Sequence, residues 1–471
     1  MRVLMLMPPY IQGFMRNGRW ESMTISGSQW YPIFMSYATG LLEKNGHEVK
    51  LIDAQVDRLT REQVYKIAVD FKPELTIVYF SMKSLQNDIE ITHTICSLTD
   101  SDSVLVGSSS SFDPPKTLGI SYRVNKLIKG EFDNSILDLV NKVPYENISG
   151  LVWKDIKGLH ENPQGKLVTG AELDKYPFVT SVYKKHLHMK NYWLSAHYNP
   201  YVDLFTGRGC AWGNCTYCLW NFTMYKGIGD KYRPRSVSNV IEELKYIKSE
   251  LPLVRDVYLQ DDYIPQERIC EISQAILDNH IKMRWSGYAR PNLNLETLKL
   301  MKKSGCYLLE VGFESSSPEI LINVKKGISV ATMEKFAYDA HKVGITIVGS
   351  FITGLPGESV ESIKNTVEWL NKIPILRYNI TLPKVYKGTA LWNDLEQKGW
   401  LKDGKPNYPN LSTEDIYCWN KWSLKHSYLS PHFLRKILFR PSDWGRTAKS
   451  AYYFMPFVLS KDKNTDKELE W

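Results

Sequence analysis

Two long stretches of the chain alternate short apolar runs with amphipathic segments. Between residues 1 and 145, apolar runs predict five strands, at Arg2–Met7, Glu48–Asp53, Leu75–Phe80, Ser103–Gly107 and Arg123–Ile128. Segments with helical spacing, such as Tyr37–Gly46 and Thr60–Phe71, lie between them. This alternation predicts a parallel sheet with helices on both faces. Ligands of such sheets bind at the carboxyl ends of the strands.

Residues 196–395 repeat the alternation. The six predicted strands are Tyr201–Phe205, Asp256–Gln260, Met283–Tyr288, Tyr307–Phe313, Thr346–Ile352 and Tyr378–Leu382. The predicted helices between them are Val237–Lys248, Gln266–Asn279, Asn294–Ser304, Val330–Val343 and Ser359–Asn371. Six strands joined by helical crossovers predict a partial (β/α)6 barrel of the TIM type, whose working residues lie at the carboxyl ends of the strands. The fold class is therefore α/β.

Two other regions differ in character. Residues 146–195 are predicted to be a linker with a small β element, a hairpin in which Leu151–Trp153 and Lys166–Val168 flank Asn162–Gly165. Residues 396–471 are aromatic-rich and predicted to be a small helical domain, whose prominent residues are Trp419, Trp422, Trp444, Tyr452, Tyr453 and Phe454. The sequence thus predicts four parts, with bounds 1–145, 146–195, 196–395 and 396–471.

Composition narrows the class of protein. The 471 residues are 43% hydrophobic and 23% charged, which is ordinary for a globular protein. The net charge is +8, but the basic residues are scattered, which favours solvated surface charge over nucleic-acid binding. No apolar run is long enough to cross a bilayer, and no signal peptide is predicted. An odd number of cysteines, seven, does not suggest a disulfide framework, so we expect a cytoplasmic protein.

The most specific signal is a cysteine loop. Cys210, Cys215 and Cys218 lie within nine residues, on a glycine-rich loop that follows the first predicted strand of the second series. Three thiolates can hold three irons of a four-iron cluster and leave the fourth iron open for a chelating ligand. A zinc site would need a fourth Cys or His at short spacing. The nearest histidines are His197 upstream and His280 downstream, so the triad favours an iron–sulfur cluster.

The cysteine loop resembles the cluster motif of the radical S-adenosylmethionine (SAM) superfamily. One departure is that four residues, not three, separate the first two cysteines; longer variants occur in the superfamily. Residues at the ends of the next four predicted strands also resemble the family pattern, and these are, in chain order, Asp262, Arg290, Glu314 and Gly354. The segment Leu382–Thr389, at the sixth strand, resembles the family as well. Either acid alone would more often be a helix cap. Five matches in chain order are a much stronger signal.

The resemblance implies roles for these residues. Asp262 would contact the amino group of SAM, Glu314 would face its ribose hydroxyls, and Gly354 would lie in the turn beside adenine. Arg290 would belong to the same cofactor site. Tyr217 would pack on adenine or, with equal weight, serve as a core aromatic residue.

The first domain resembles the cobalamin-binding domain that precedes the barrel in one large radical SAM class. The matching residues are Pro8, Pro9, Ser81, Gly107, Gly130 and Glu131, together with the segment Leu41–Asp53, and the serine at Ser108 could donate to a corrin amide or the nucleotide tail. The Asp-x-His-x-x-Gly signature is absent, as it is in many members of the class, and Ser108 replaces a common second glycine. The alternative is a degenerate nucleotide-type domain without a ligand. The loop Gly27–Pro32 would line the cobalamin or substrate space, or be a structured loop with buried aromatic residues.

Together these features resemble a cobalamin-dependent radical SAM enzyme over residues 1–395. The implied reaction is reductive cleavage of SAM to methionine and a 5′-deoxyadenosyl radical, followed by methylation of an unactivated carbon. We expect a small-molecule substrate of partly apolar character, such as a lipid, tetrapyrrole or natural-product intermediate, and an electron donor such as flavodoxin or ferredoxin. One alternative is an oxidative cyclase or rearrangement enzyme without net methyl transfer. Another is a non-enzymatic metal or redox-sensing module, which would leave Asp262, Arg290 and Glu314 unexplained.

Overall fold

The computed structural model describes residues 1–16, 21–24, 27–375, 377–438 and 444–445. The predicted aromatic residues Tyr452, Tyr453 and Phe454, and most of 439–471, lie outside the described residues. In the part of the chain that is described, no helix is both long and apolar enough to span a membrane.

The amino-terminal part is an α/β unit. Its strands are β1 (Arg2–Met7), β2 (Phe14–Met15), β3 (Ser22–Met23), β4 (Glu48–Asp53), β5 (Leu75–Tyr79), β6 (Asp102–Val106), β7 (Lys126–Ile128), β8 (Leu151–Asp155) and β9 (Gly158–Glu161). Its helices are α1 (Ile33–Lys44), α2 (Arg61–Phe71), α3 (Leu85–Thr99), α4 (Pro114–Gly119) and α5 (Asp133–Val140). The main sheet has the order β4-β1-β5-β6-β7-β8-β9.

The first five strands of this sheet run parallel, in the order of a doubly wound fold. The order reverses between β1 and β5, because β4 lies on one side of β1 and β5 on the other. In open α/β sheets, ligands bind in the crevice at the carboxyl ends of the strands beside such a switch point. Pro8, Pro9 and Ser81 follow these two strands directly, as the Rossmann-like prediction requires.

The second unit is the predicted partial barrel. Short helices α6 (Gly170–Leu173) and α7 (Val179–His186) lead into it. Its strands are β10 (Tyr201–Leu204), β11 (Gly207–Gly209), β12 (Tyr232–Pro234), β13 (Asp256–Leu259), β14 (Trp285–Ala289), β15 (Cys306–Glu314), β16 (Thr346–Ile352) and β17 (Arg377–Thr381). Its helices are α8 (Leu219–Phe222), α9 (Val237–Glu250), α10 (Gln266–Asp278), α11 (Leu295–Lys303), α12 (Pro318–Asn323), α13 (Val330–Val343) and α14 (Val360–Lys372).

Six of these strands form one parallel sheet in chain order, β10-β13-β14-β15-β16-β17. β10 and β17 are its edges, so the barrel is open, as predicted. The remaining described chain forms α15 (Ala390–Gln397), β18 (Leu401–Lys402), β19 (Lys405–Pro406), α16 (Thr413–Tyr428) and α17 (Pro431–Leu438). This agrees with a small, mostly helical carboxyl-terminal unit.

The two α/β units share a continuous apolar core. Tyr31 is fully buried and stacks on Tyr183 and Tyr192, with ring centroids 4.2 and 4.0 Å away. Its hydroxyl donates to the carbonyl oxygen of Tyr201, at the start of the barrel, over 3.1 Å. The loop Gly27–Pro32 is therefore a structured loop with a buried aromatic residue, the plainer of its two predicted roles. It fixes the first unit against the second.

Two local predictions were wrong. The hairpin consists of β8 and β9, not of segments flanking Asn162–Gly165, and it extends the first sheet by antiparallel pairing with β7. Its turn runs from Asp155 to Gly158, and Asp155 accepts a hydrogen bond from the backbone of Lys157 over 2.7 Å. Helix α1 begins at Ile33, four residues before the predicted start, directly after Pro32. Its first ten residues are buried, so the usual polar face is missing there.

Candidate functional site

The cysteine loop is held at its base by backbone pairing. β11 leads into Cys210 and pairs with β12 in a two-stranded antiparallel ribbon. The backbone N–H of Cys210 donates to the carbonyl oxygen of Lys231 over 2.9 Å. Gly209 has a φ of +93°, and a Cβ there would overlap the Lys231 carbonyl, so only glycine fits. The conformation of the loop is therefore fixed by its glycines.

The three thiols are unpaired cysteines with partly accessible side chains. Burial, together with the negative charges of Asp262 and the other two thiols, raises the pKa of Cys218 to about 12. Burial also raises the pKa of Cys210, whose sulfur accepts a hydrogen bond from the backbone of Gly213 over 3.4 Å. Metal binding would remove this penalty, because a coordinating thiol is deprotonated by the metal.

The three thiols lie near one another, because the charges of Cys210 and Cys215 both act on Cys218. A four-iron cluster carries each thiolate on a different iron, so it needs three neighbouring thiolates but no common point of coordination. Within the described residues, no group of His, Cys, Asp or Glu side chains is placed to hold a single metal ion. The residues present fit the predicted four-iron cluster, with Cys210, Cys215 and Cys218 as its ligands.

The adjacent acids after β13 have different environments. Asp261 is fully buried and accepts hydrogen bonds from the backbone and the side chain of Thr206, over 2.7 and 2.8 Å. Asp262 instead lies beside the cysteines, since its charge acts on the thiols of both Cys210 and Cys218. Tyr225 donates a hydrogen bond to it. Asp262 is thus close to the cysteine loop, and its contact with the amino group of SAM stays a prediction.

Glu314 lies at the end of β15 in an unusual backbone conformation. Its φ is +68°, and the pairing of β15 with β16 shifts register between Gly312 and Glu314. For a residue other than glycine this conformation is strained, and such strain is typical of functional sites. The carboxylate of Glu314 accepts a hydrogen bond from Lys326 Nζ over 2.7 Å. The irregular strand end thus places a charged pair inside the barrel mouth.

Two more groups join this pair. The Tyr217 hydroxyl lies 3.4 Å from Lys326 Nζ and donates to Glu314. Gly312 leaves the room they need, because a Cβ there would overlap the Glu314 carboxylate. The structure therefore brings Tyr217 and Glu314 together between the cysteine loop and β15. Sequence reasoning missed Lys326, which lies in a loop and follows no strand.

Arg290 stabilises the cysteine loop by its contacts with Trp212 and Lys326. Its guanidinium stacks on the ring of Trp212, 4.5 Å from the centroid, and donates to the carbonyl oxygen of Lys326 over 2.5 Å. The Trp212 ring also closes over Gly327, where any Cβ would overlap it. Arg290 therefore connects the loop to the segment that carries Lys326. Direct contact between Arg290 and a cofactor stays a prediction.

Gly354 forms the predicted turn after β16. Its φ is +98°, and its backbone N–H donates to Glu358 over 2.8 Å. Its carbonyl oxygen accepts a hydrogen bond from the Tyr408 hydroxyl over 2.8 Å, and Ile416 leaves no space for a Cβ. The carboxyl-terminal unit therefore packs on this turn. Burial raises the pKa of Glu358 to about 7.

The residues at the switch point of the first sheet form a buried floor. The Pro8 carbonyl oxygen accepts a hydrogen bond from Arg16, and the Pro9 carbonyl oxygen accepts one from Asn87. Arg16 also forms an ion pair with the buried Asp88 at 2.6 Å. The Ser81 hydroxyl lies 3.1 Å from Ser84 Oγ, and its backbone donates to Asp88. Arg16, which sequence reasoning missed, organises this floor.

The serine run after β6, which is Ser108–Ser111, has one feature of a ligand site. A Cβ at Gly107, where φ is +119°, would press on the ring of Tyr79, and Ser108 hydrogen-bonds to the Tyr79 hydroxyl. Ser111 Oγ is buried and has no hydrogen-bond partner among the described residues. A buried hydroxyl without a partner is costly unless a ligand supplies one. The run therefore fits a ligand rich in amides, such as cobalamin.

Gly130 and Glu131 lie in the contact between the two units. Gly130 has a φ of +79° and packs against Gln164. Glu131 accepts two hydrogen bonds from Arg233, over 2.7 and 2.8 Å, and a third from the backbone of Val168 over 2.9 Å. These contacts use both carboxylate oxygens for the domain interface. A cofactor contact at either position stays a prediction.

Residues 204–370 match the model of the Radical SAM superfamily. An uncharacterized methyltransferase of Pyrococcus horikoshii is 26% identical over 98% of this chain and 94% of its own. Cytidylyl-2-hydroxyethylphosphonate methyltransferase of Streptomyces wedmorensis is 23% identical over 79% of each chain. The anaerobic magnesium-protoporphyrin IX monomethyl ester cyclase of Rubrivivax gelatinosus is 23% identical over 78% of this chain and 65% of its own.

Solved structures share the fold over both units. The radical SAM methyltransferase TsrM from Kitasatospora setae, determined with cobalamin and a 4Fe–4S cluster, superposes with a TM-score of 0.67. The match has 17% identity and covers 88% of this chain and 80% of that one. The cobalamin-dependent SAM radical enzyme OxsB gives 0.67 and 14% identity, over 99% and 74%. Residues 204–370 therefore form a domain of the Radical SAM superfamily, and the two α/β units together share the fold of TsrM and OxsB.

Proposed function

We propose that this protein is a cobalamin-dependent radical SAM enzyme that methylates an unactivated carbon of a small molecule. One observation carries the proposal. Tyr386, which follows β17, stacks on Phe112, which follows the serine run after β6, with ring centroids 4.3 Å apart and planes 9° apart. The carboxyl ends of the two sheets thus face each other. Groups bound at these two edges would share one space.

The chain's residues have distinct parts in this scheme. When bound, the cluster supplies the electron that cleaves SAM, and cobalamin supplies the methyl group. Cys210, Cys215 and Cys218 hold the cluster. Asp262 accepts a charge-assisted hydrogen bond from the amino group of SAM. Glu314 accepts hydrogen bonds from the ribose, with Lys326 and Tyr217 setting the direction of its carboxylate. Gly354 and Arg290 position the adenine side of the site.

The first unit would hold cobalamin at its strand ends. Pro8, Pro9 and Ser81 supply the floor beside the switch point, and Gly107 and Ser108 supply the neighbouring edge. Ser111 adds a hydroxyl that a corrin amide would satisfy, which supports ligand binding over a degenerate domain. Gly130 and Glu131 close the far end of the crevice. The proposed parts have the bounds 1–145, 146–195, 196–395 and 396–471, and the hairpin of β8 and β9, which belongs to the second part, extends the sheet of the first.

The substrate belongs in the space between the two units. Phe112 and Tyr386 present aromatic surface there, which supports a partly apolar molecule such as a lipid, tetrapyrrole or natural-product intermediate. The carboxyl-terminal unit, which packs on the Gly354 turn, is placed to cover it. Flavodoxin or ferredoxin would supply the electron, in the cytoplasm.

A second candidate is oxidative ring formation without net methyl transfer. The relative from Rubrivivax gelatinosus, whose name describes a cyclase, favours it. The cysteine loop and the cofactor residues would serve both reactions equally. The two reactions differ in whether the methyl group of SAM is transferred to the product.

The test follows the methyl group. Anaerobically purified protein should contain about four irons per chain and one cobalamin. It is then given dithionite, methyl-labelled SAM and a metabolite extract. The proposal expects 5′-deoxyadenosine together with a new labelled small molecule, formed only when both cofactors are present. Formation of 5′-deoxyadenosine with an unlabelled product would favour the cyclase. Absence of 5′-deoxyadenosine would rule out both enzymes.

A further inference from the structure

A surface depression lies against the outer edge of the cysteine loop. Its volume is about 540 Å³, and Trp212, Gly213 and Asn214 form one wall. The facing wall comes from α12 and the segment after it, and includes Ile322, Lys325 and Ile328. The first three residues lie between Cys210 and Cys215 in the chain. A molecule bound in this depression would therefore touch the segment that joins two of the cluster ligands.

The two walls are held together by hydrogen bonds. The indole N–H of Trp212 donates to the carbonyl oxygen of Lys325 over 3.0 Å. The backbone N–H of Thr216 donates to the carbonyl oxygen of Val324 over 3.1 Å. The guanidinium of Arg290 lies over the Trp212 ring as well. The depression is thus preformed, so a partner that binds here does not first have to order the loop.

The depression exposes apolar surface beside a fixed aromatic ring. Ile322 is 74% exposed, although its neighbours Ile320 and Leu321 are buried. The half-buried Trp212 lines the same depression. A single exposed apolar side chain is common on protein surfaces. An apolar side chain next to a rigid tryptophan is, however, the usual composition of the centre of a protein–protein contact.

The charges at the depression are positive. Lys325 lines it and is exposed, and Lys231 is exposed at its edge, where Nζ lies 2.9 Å from Asn214 Oδ1. No acidic residue is among the described residues that line it, and Glu319, the acid of α12, is not one of them. In the part of the chain that the structure describes, neither ammonium group forms an ion pair, not even with Asp230 beside Lys231. The depression therefore favours a partner with an acidic surface.

We infer that this depression is the docking surface for the electron donor, a small acidic protein that carries one electron. The inference rests on the proposed function, which needs one electron to reach the cluster held by the cysteine loop. The carrier loses that electron and the oxidised cluster gains it, and no bond forms or breaks. Contacts between electron carriers and their partners are typically small and transient. A preformed depression with one aromatic wall, one exposed isoleucine and two lysines fits such a contact.

The test measures docking and electron transfer, not SAM cleavage. The full chain with its cluster is titrated by calorimetry with an oxidised flavodoxin and an oxidised ferredoxin, both acidic. Stopped-flow absorption then measures how fast each reduced carrier reduces the cluster. Lys231→Glu/Lys325→Glu should weaken binding and slow reduction about tenfold or more at low ionic strength, because repulsion replaces attraction. Photoreduced 5-deazariboflavin, a small neutral donor, should reduce both proteins equally fast.

Two further variants separate local contacts from net charge. Lys66→Glu/Lys157→Glu is the matched control, because it makes the same change of charge at exposed lysines of α2 and of the β8–β9 turn. It should bind both carriers like the original chain. Ile322→Ser removes apolar surface without changing the charge and should weaken binding about fivefold. Added salt should weaken binding to the original chain and to Ile322→Ser, but hardly to the lysine variant.

The outcomes separate this inference from the proposed function. A loss confined to the lysine variant and Ile322→Ser, with unchanged reduction by 5-deazariboflavin, supports the docking surface. Equal losses in the lysine variant and its control would mean that net charge alone attracts the carrier, and would overturn it. Failure of both carriers to reduce a cluster that 5-deazariboflavin reduces would also overturn it. Docking as expected without 5′-deoxyadenosine would contradict the proposed function and support the surface. Iron content shows that each variant holds its cluster.

Discussion

Arg208 and Asp133 form a bidentate ion pair that joins the cysteine-bearing strand to the first domain. The two hydrogen bonds measure 2.7 and 2.9 Å, and both side chains are fully buried. The guanidinium also lies 5.3 Å from the ring centroid of Phe34 and 5.1 Å from that of Tyr37. Arg208 lies two residues before Cys210. The position of the cluster loop is therefore coupled to the domain interface.

Breaking this pair should destabilise the protein strongly. Arg208→Met leaves the Asp133 carboxylate buried without a partner, at a cost of about 3–5 kcal/mol. Denaturant or thermal unfolding measures the loss. The double variant Arg208→Met/Asp133→Leu should recover most of it, because neither charge of the pair remains and the nearby Glu131 keeps its ion pair with Arg233. Lys245→Met, which breaks an exposed pair with Glu242, is the control and should cost at most about 1 kcal/mol. Equal effects of Arg208→Met and Lys245→Met would contradict the prediction.

Removing one cluster ligand should empty the site. Cys215→Ala leaves two thiolates in the loop, so iron should fall from about four per chain to nearly none, and the visible charge-transfer absorption should disappear. Iron analysis and absorption spectra after anaerobic reconstitution measure this. Cys418→Ala removes an exposed cysteine far along the chain and should keep both signals. A Cys215→Ala protein that retained its iron would refute the ligand assignment.

Prediction from sequence was most accurate where a single strand or helix fixes the position of a residue. Each of the six strands in the main sheet of the partial barrel was predicted within two residues of its bounds, because each is a short buried run followed by polar residues. The positions of Asp262 and Glu314 followed from those strand ends. The two-stranded ribbon under the cysteine loop was not predicted, because β11 and β12 are three residues each and exist only by pairing.

The parts of the site that the sequence did not predict depend on contacts between residues far apart in the chain. Arg208 and Asp133 are 75 residues apart, and no local pattern pairs them. Lys326 lies 12 residues after Glu314 in a loop, where a lysine is usually solvated. Arg16 and Asp88 likewise meet only when α3 packs beside the loop after β1. The hairpin was misplaced because Asn162–Gly165 has strong turn residues, whereas the real turn depends on Asp155 accepting a backbone hydrogen bond.

Gly312 should matter for SAM binding although it has no side chain. Gly312→Ala would push the Glu314 carboxylate away from Lys326 and out of its direction toward the ribose. We expect SAM to bind about tenfold more weakly, equivalent to the loss of one hydrogen bond to a charged group. Equilibrium dialysis with the reconstituted protein measures the affinity.

The matched control for this variant is Gly119→Ala. Gly119 has open space where a Cβ would be placed and an ordinary φ, so the same substitution should change nothing. Iron content should be normal in both variants. If Gly312→Ala bound SAM with the original affinity, Glu314 would not be the ribose contact.

His197 should make stability fall as pH rises above neutral. It lies under the barrel, where Nδ1 is 2.8 Å from Asp256 and Nε2 is 3.1 Å from Glu310. Burial alone would lower the pKa of His197, but the hydrogen bonds and charges of the two acids outweigh it and raise the pKa to about 9. The unfolded value is about 6.5, so the stabilisation is complete below that pH and is lost as pH rises through 9. The whole effect is about 3 kcal/mol.

The difference between two proteins isolates this effect from other titrating groups. His197→Gln keeps a hydrogen-bonding side chain but has no charge. The gap in unfolding free energy between the original chain and His197→Gln should be largest at about pH 6 and should shrink steadily toward pH 9.5, because the charged imidazolium is lost across this window. His160→Gln alters a partly exposed pair with Asp155 and should show at most a small change. A gap that did not vary with pH would mean that His197 is neutral in the folded protein and that its two acids serve only as hydrogen-bond partners.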